Sequence, residues 1–356
     1  MKDLSGRFLT ILSVVSLCLL TSCSKDSQET IRLESEADPT GPEEIFSVLT
    51  LNVDGLPKAI NIMGLYKVTV NEDGPGAKYT SAIGQYIANM NYDFISVQEN
   101  FNYDTQLSSP LSDNYDRDLW SGGLNTEKMT SDVRFMSDGL NAFWKKGITA
   151  SMTDSVSWTA SYGKFNHAWD DIVTKGFRRY DVTLAEGSQV VIYNMHMDAG
   201  DDEDEAKGLD GPDCRARMVQ WRQLRDYIMA HLDKRPVIIM GDLNSWYERD
   251  SIKIQFIDEI QRTGRATASD VWIELVKNGN YPAIYDGIVT KDPGTIDWSR
   301  NGELLDKILY INPKGGSKFY PMSIFIDHDG YQKEDGTPLG DHSPLSVTFK
   351  IKNQAQ

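Results

Sequence analysis

Cysteine is nearly absent from this chain, with three in 356 residues, and histidine is scarce, with five. Three thiols cannot build a disulfide scaffold or a four-thiolate zinc site. No Cys-x-x-Cys or His-x-x-x-His spacing occurs, so zinc finds little support. Basic residues are also short: 36 Lys+Arg stand against 52 Asp+Glu, a formal net charge of -16. That balance argues against a basic face gripping nucleic acid, because phosphates are held by Lys and Arg. It leaves room for a site in which a metal brings the positive charge to a phosphate. Internal repeats and a second linker are missing too. The remainder, 40% hydrophobic and 25% charged, is an ordinary globular composition, which excludes disorder, collagen and coiled coil as the whole answer.

The N-terminus has the grammar of an export signal. Lys2 and Arg7 precede an apolar run over residues 8–20, too short and too early for a membrane span. It ends in Leu20-Thr21-Ser22-Cys23, the lipobox pattern of bacterial lipoproteins, in which the Cys sulfur takes a lipid and becomes the first residue. Residues 1–22 are therefore expected to be a signal peptide, and residues 23–44 the lipidated Cys23 and a polar, aromatic-free tether. Cleavage would remove Lys2, Arg7 and Asp3 and leave a net charge of -17. Cys18 would leave with the signal, making Cys214 the one free thiol, expected in a loop. The expected location is the bacterial cell envelope, lipid-anchored at the outer membrane or cell surface.

Residues 45–356 read as one domain of alternating strands and helices. Apolar β-rich runs occur at Phe46–Val53, Phe94–Gln98, Leu140–Trp144, Thr149–Trp158, Gly176–Leu184, Gln189–His196, Pro236–Met240, Leu304–Ile311 and Leu345–Ile351. Helical spacing marks Thr80–Met90, Arg215–Leu232 and the shorter Phe256–Arg262. This order predicts a mixed α/β domain with two packed β-sheets flanked by helices.

Polar residues cluster at the ends of these strands. Asn52 follows Val48–Leu51; Glu99 follows Ile95–Val97; His196 and Asp198 follow Val190–Tyr193; Asp242 and Asn244 follow Val237–Met240; Asp341 and His342 precede Leu345–Phe349. Strands hold backbones rigidly, and loops at their ends expose side chains into a shared cleft. Carboxylates and amides are hard oxygen ligands, suited to Mg²⁺, with Mn²⁺ or Ca²⁺ as alternatives.

The order of these segments resembles the endonuclease/exonuclease/phosphatase superfamily, the fold of DNase I-like nucleases, inositol polyphosphate 5-phosphatases and neutral sphingomyelinases. The matching motifs are Leu51-Asn52-Val53, Gln98-Glu99, Asn194-Met195-His196, Gly241-Asp242-Leu243-Asn244, Leu305-Asp306-Lys307-Ile308 and Gly340-Asp341-His342-Ser343-Pro344, spread over about residues 45–351. Thr50-Leu-Asn-Val-Asp-Gly-Leu-Pro57, the segment Asp170 to Gly176, and Arg215/Arg217 with Gln220/Gln223, which resemble an Arg-x-x-Gln helix, are similar to the sphingomyelinase-like branch. Met195, Asp198 and the acidic run Asp201–Glu205 depart from it.

The resemblance implies a four-layer DNase I-like sandwich and a Mg²⁺-dependent phosphoric ester hydrolase. It implies Asn52, Glu99 and Asp341 around the metal, and His196, Asp242, Asn244, Asp306 and His342 in catalysis. Asp242 would orient or deprotonate the water, Asn244 and His196 would bond phosphoryl oxygens, and Asp306 would orient His342, a general base or a phosphate-stabilising cation. Asp170, Lys175 and Asp198 are the candidates for substrate contact. The acidic chain and the lipid anchor favour a phospholipid with a single phosphate, cleaved as by a sphingomyelinase or phospholipase C, by a monomer that does not bind nucleic acid. Trp120, Trp144, Trp158, Trp169 and Trp246 are candidates for an apolar entrance, with Trp144 and Trp158 better placed in the core. The alternatives are an inositol polyphosphate phosphatase, for which Lys145-Lys146 and Arg178-Arg179 are the available basic residues, an endonuclease, and a non-catalytic surface binding lipoprotein.

Overall fold

The computed structural model describes residues 37–62, 66–123, 137–163, 173–200, 211–282, 296–297 and 303–355. The expected signal peptide, Cys23, Asp170, Trp169 and the acidic run at 201–205 lie outside them. Twelve strands form two six-stranded sheets. In chain order they are β1 (Glu43–Asn52), β2 (Phe94–Gln98), β3 (Tyr115–Arg117), β4 (Asn141–Lys145), β5 (Thr149–Ser157), β6 (Gly176–Thr183), β7 (Gln189–His196), β8 (Val237–Asp242), β9 (Ala266–Asp270), β10 (Asp306–Pro313), β11 (Lys318–Ile326) and β12 (Leu345–Lys352). The first sheet runs β11-β12-β1-β2-β4-β3 and the second β9-β10-β8-β7-β6-β5.

Each sheet is built around one parallel pair. β1 pairs parallel with β2, and helix α1 (Gly76–Met90) connects them; β7 pairs parallel with β8 through helix α2 (Pro212–His231). A parallel crossover needs such a helix, and its apolar stripe must cover the sheet. Ile83 and Ile87 of α1 accordingly pack on Leu49, Leu51, Ile95 and Val97, while Trp221, Leu224 and Ile228 of α2 pack on Val191, Tyr193, Val237 and Ile239. The alternate residues of the same strands face the other sheet: Phe46, Val48, Phe94, Val190, Ile192, Ile238, Met240, Ile308 and Tyr310 share one inter-sheet core. The two-residue period of a strand thus divides each apolar run between two cores.

β1 begins at Glu43, inside the segment expected to be tether, and Asp38 already meets the Tyr320 hydroxyl at 2.7 Å. The strand β9, the edge strand β11 and the three-residue β3 carry too weak an alternation to stand out in sequence. Cys214 is not in a loop: it is buried in the first turn of α2. Trp144 and Trp158 are core, as expected, but Trp246 is also buried (3% exposed) and lines no entrance. Among the described residues no helix is long and apolar enough to cross a membrane.

Candidate active site

The strand period that builds the inter-sheet core also builds the site. Asn52, Gln98, Asn194, His196, Asp242 and Asp306 continue the inter-sheet parity of Val48, Phe94, Ile192, Met240 and Ile308. Toward the carboxyl ends of the two parallel pairs, this face changes from apolar to polar. Open α/β sheets bind ligands at such ends, where strands stop and loops diverge.

A first polar tier fastens the two sheets. Gln98 Nε2 donates to Asn194 Oδ1 at 2.8 Å, and Asn194 Nδ2 donates to the carbonyls of Val97 (3.1 Å) and Asn141 (2.9 Å). All four residues are buried, so each bond satisfies a group that would otherwise be stranded. Above it lies the reactive tier. Asn52 Nδ2 donates to Glu99 Oε1 (2.9 Å) on its own sheet and to Asp242 Oδ2 (3.0 Å) on the other. Its Oδ1 accepts the Asp54 amide at 3.0 Å, so Asn52 presents its NH₂ group to the two carboxylates. His196 Nε2 lies 3.4 Å from Asp242 Oδ2 and 3.9 Å from Glu99 Oε1. His342 Nδ1 lies 2.7 Å from Asp306 Oδ2, and its Nε2 points to Asp242 at 3.7 Å. Asn244 donates its amide N–H to Asp242 Oδ1 (3.1 Å) and its Nδ2 to the Met197 carbonyl (3.3 Å).

Three residues here adopt left-handed backbone: Asp54 (φ 49°), Glu99 (φ 56°) and Asn244 (φ 45°). Asp and Asn tolerate this region, whereas for Glu it costs of order 1 kcal/mol and marks a residue held by its surroundings. Glycine serves the close approaches. A Cβ on Gly241 would sit 1.9 Å from the Met195 carbonyl oxygen, and one on Gly55 would sit 2.3 Å from that of Glu99.

Electrostatics divide the tier into distinct roles. Burial opposes charge on His342, but Asp306, Asp242 and Asp341 raise its pKa well above the ordinary 6.5, which favours the imidazolium form. His196 goes the other way: burial and the nearby Lys175 ammonium hold it neutral. Burial also opposes ionisation of Asp242, yet His342, His196, the Asn52 amide and Lys175 keep its pKa below the usual value. Glu99 is pushed up to about 7 by burial and by Asp341, and Asp54 up to about 8 by burial, Asp341 and Glu99.

A divalent cation fits one part of this arrangement. The groups Glu99, His196 and Asp242, and Asp242, Asp306 and His342, each bring their ligand atoms within 4.8 Å of one another. In the second group Asp306 is engaged by a protonated imidazole, which offers no lone pair. The first adjoins the carboxylates of Asp341 and Asp54; burial and Asp341 raise the pKa of Glu99, burial, Asp341 and Glu99 raise that of Asp54, and a cation would relieve this crowding. Their oxygens are the donors that Mg²⁺, Mn²⁺ and Ca²⁺ take.

The structure therefore brings Asn52, Glu99, His196, Asp242, Asn244, Asp306 and His342 together, with Lys175 and Asp341 at their edge. Lys175 is buried and donates to the Met197 carbonyl at 3.2 Å. Asp198 does not face this cluster with a free carboxylate: its two oxygens accept the Tyr162 amide at 3.1 and 3.2 Å. Gln220, which accepts the Asp198 amide at 3.0 Å, and Arg217, paired with Asp250 at 2.8 Å, anchor this loop from α2. Asp54 was not singled out in the sequence, where it reads as a turn residue. Gln98 and Asn194 were quoted only as motif neighbours; a polar residue on the inward parity of a buried strand was their signal.

The basic residues available for a polyphosphate are committed elsewhere. Arg178 is buried, bound to Asp118 (2.7 Å) and bidentate to Asp138 (2.7 and 2.8 Å). Arg179 pairs with Asp181, and Lys146 donates to the carbonyls of Ser112 and Asp113. Trp120 is half-buried and donates its indole N–H to the Asn100 carbonyl at 2.7 Å, one residue past Glu99.

No family model matches the chain. It is 27% identical over 317 residues to a sphingomyelinase of Mycobacterium tuberculosis, a match that covers 85% of this chain and 52% of that protein, so the chain spans about half the length of the curated relatives it matches. Among solved structures it is similar to TDP2 of D. rerio complexed with single strand DNA product (TM-score 0.55, 16% identity, 86% of this chain and 98% of that one). It is similar also to an endonuclease/exonuclease/phosphatase family protein from Bacteroides thetaiotaomicron (TM-score 0.52, 14% identity, 87% and 98%). The two helix-flanked mixed sheets of this chain are the DNase I-like fold that these solved structures share.

Proposed function

We propose that this chain is a Mg²⁺-dependent phosphodiesterase of sphingomyelinase or phospholipase C type, acting on a lipid that carries a single phosphate. The observation that carries the reading is the placement of His342 between two carboxylates, Asp306 2.7 Å from its Nδ1 and Asp242 3.7 Å from its Nε2, an arrangement that favours an imidazolium beside an ionised Asp242. One group supplies positive charge to a phosphoryl oxygen and the other accepts a proton, beside a carboxylate set suited to a hard cation.

The residues divide the work as follows. Glu99, with Asp242 and Asp341 nearby, would hold Mg²⁺, whose chemistry is to neutralise phosphoryl oxygens and acidify water. Asp242, fixed by the Asn52 NH₂ and the Asn244 amide, orients the attacking water and takes its proton. The water oxygen forms the new bond to phosphorus, the ester P–O bond breaks, and the departing oxygen takes a proton from solvent. His342 and the neutral His196 donate hydrogen bonds to the phosphoryl oxygens as charge builds, and Asn244 aligns them.

A substrate with one phosphate is supported by the sphingomyelinase relative, by the acidic chain and by the engagement of Arg178, Arg179 and Lys146 away from any ligand. The lipobox at Leu20–Cys23 supports a lipid anchor at the cell envelope, which would hold the enzyme at a membrane surface. The test is Mg²⁺-dependent release of phosphocholine from sphingomyelin, run beside inositol phosphates and plasmid DNA, with Glu99→Ala and His342→Ala as controls. Turnover of sphingomyelin alone, lost in both variants and with chelator, is expected. Turnover confined to inositol phosphates or DNA overturns the lipid assignment, and no turnover by folded, metal-loaded protein overturns the enzyme.

A further inference from the structure

Behind Asp306, on the opposite face of the second sheet, lies a buried charged cluster that the reaction above does not use. Strand β10 alternates, so Asp306 faces the inter-sheet site and Lys307 faces the helix layer beneath. The Lys307 side chain is 2% exposed; its ammonium donates to the Leu304 carbonyl, lies 4.0 Å from Glu303 Oε2, and sits 4.8 Å from the Tyr247 ring centroid. Glu303 is itself buried (1% exposed) and spends both oxygens on one short turn: Oε2 accepts the Tyr247 amide at 2.7 Å and Oε1 the Glu248 amide at 3.2 Å. The Tyr247 hydroxyl donates to the buried Asp270 at 2.7 Å. That turn begins three residues after Asn244, and nothing between them is regular helix or strand.

We propose that Glu303 and Lys307 are positioning residues: a buried clamp that fixes the segment 243–248 and thereby places Asn244. This rests on the hydrolase reading, in which Asn244 aligns the phosphoryl group. Asn244 lies outside regular structure, and among the described residues its side chain is held by one long hydrogen bond, to the Met197 carbonyl at 3.3 Å. At its other end the segment is tied by β8 through Asp242 Oδ1. Lys307 offsets the buried Glu303 and Asp270 carboxylates, and because it is covalently next to Asp306 the clamp ties Asn244 to the strand that orients His342. A cluster serving the fold alone would stabilise the protein without favouring one step of the reaction.

The test uses the full chain with Mg²⁺ and bis(p-nitrophenyl) phosphate as the probe. Glu303→Ala combined with Lys307→Met removes the two charges of the pair together, while Asp270 keeps the Tyr247 hydroxyl and the Trp272 and Ile273 amides. It is expected to lower kcat about 10- to 100-fold, the scale of a misplaced positioning group, with KM changed less than about threefold. Glu303→Gln with Lys307→Met restores an acceptor oxygen and should regain most of the loss. In an Asn244→Ala background the same pair of substitutions should lower kcat by less than about threefold, because the group they position is gone. Losses that multiply in that background overturn the proposal. Amide exchange at Tyr247 and Glu248 gives a readout independent of turnover: protection should fall at both in the Ala variant and return at Tyr247, the shorter bond, in the Gln variant, and unchanged protection overturns the clamp. Should the unmodified chain leave the probe intact, it is the hydrolase reading that fails, and amide exchange still decides the clamp.

Discussion

Replacing Asp306 by Asn is the sharpest probe of how the charge on His342 is maintained. The carboxylate lies 2.7 Å from Nδ1, with the His and Asp side chains 11% and 1% exposed. Asn keeps the volume and an acceptor oxygen but removes the charge. Burial is the largest single influence on His342 and lowers its pKa, while Asp242 and Asp341 still raise it. Without Asp306 the largest raising influence is gone, so the pKa falls and the imidazole of the variant loses its proton at a lower pH than that of the unmodified protein. kcat/KM is therefore expected to fall by an order of magnitude or more on the alkaline side, with the deficit shrinking toward parity in acid, where the variant's imidazole is protonated too. Because the folded-state value is raised, the ion pair stabilises the fold fully below pH 6.5 and loses that contribution as pH climbs through the folded pKa, so the variant should lose stability chiefly on the acid side. The assay is a pH–rate profile from 5 to 9 at saturating Mg²⁺, which keeps Glu99 ionised, with an NMR titration of the His342 ring beside it. A profile that stays a constant fraction of the unmodified one at every pH would refute the reasoning, because Asp306 would then act through geometry and not through charge.

Three further outcomes follow from the same geometry. A Glu99 carboxyl moved from 4.5 to about 7 costs the metal-free fold on the order of 3 kcal/mol once both states ionise, so metal-free Tm should fall between pH 4.5 and 7 and Mg²⁺ should restore it; a Tm that holds level or rises across that window without metal contradicts the carboxylate crowding. Gly241→Ala places a Cβ 1.9 Å from the Met195 carbonyl oxygen and should cost at least about 2 kcal/mol in urea unfolding, whereas a neutral change would mean that β7 and β8 can separate there. Arg178→Met leaves the buried carboxylate of Asp118 and the partly buried one of Asp138 without their cation and should cost about 3–5 kcal/mol of stability; a variant of unchanged stability that has lost turnover would instead make Arg178 a phosphate ligand.

Much of this arrangement is legible in the chain because two signals coincide. Runs such as Val237–Met240 announce buried strands, and the polar residue that ends each run marks the side where the strands stop. The helix α2 was visible from its apolar spacing, and the structure adds only its start at Pro212, where the missing N–H costs nothing. The edge strand β11 was not visible, since its side chains are partly exposed on both faces. Which polar residues meet across the two sheets was also hidden: Asn52 and Asp242 are 190 positions apart, and only the packing of one sheet on the other closes that distance to 3.0 Å. The left-handed backbone of Glu99 and the burial of Asp54 are consequences of that packing and leave no trace in a local pattern.

Since Glu99 comes from one sheet and Asp242 from the other, the reactive geometry depends on how the sheets are fastened, and the fastening nearest the site is polar. Asn194 makes three bonds there, to the Gln98 side chain and to the carbonyls of Val97 and Asn141. Leu at this position has nearly the same shape but can make none of them. It would leave a buried amide and two buried carbonyls without that partner, at about 1–3 kcal/mol for the first group and less for the others as the sheets relax. Relaxation is the informative part. If the sheets part slightly to admit water, Asn52 can no longer reach Glu99 at 2.9 Å and Asp242 at 3.0 Å together, and Mg²⁺ affinity should fall along with stability. Urea unfolding and a Mg²⁺ titration on Asn194→Leu measure the two separately. A stability loss of about 3 kcal/mol with unchanged Mg²⁺ affinity would show that the reactive tier keeps its own geometry, and that the tier beneath it serves the fold alone.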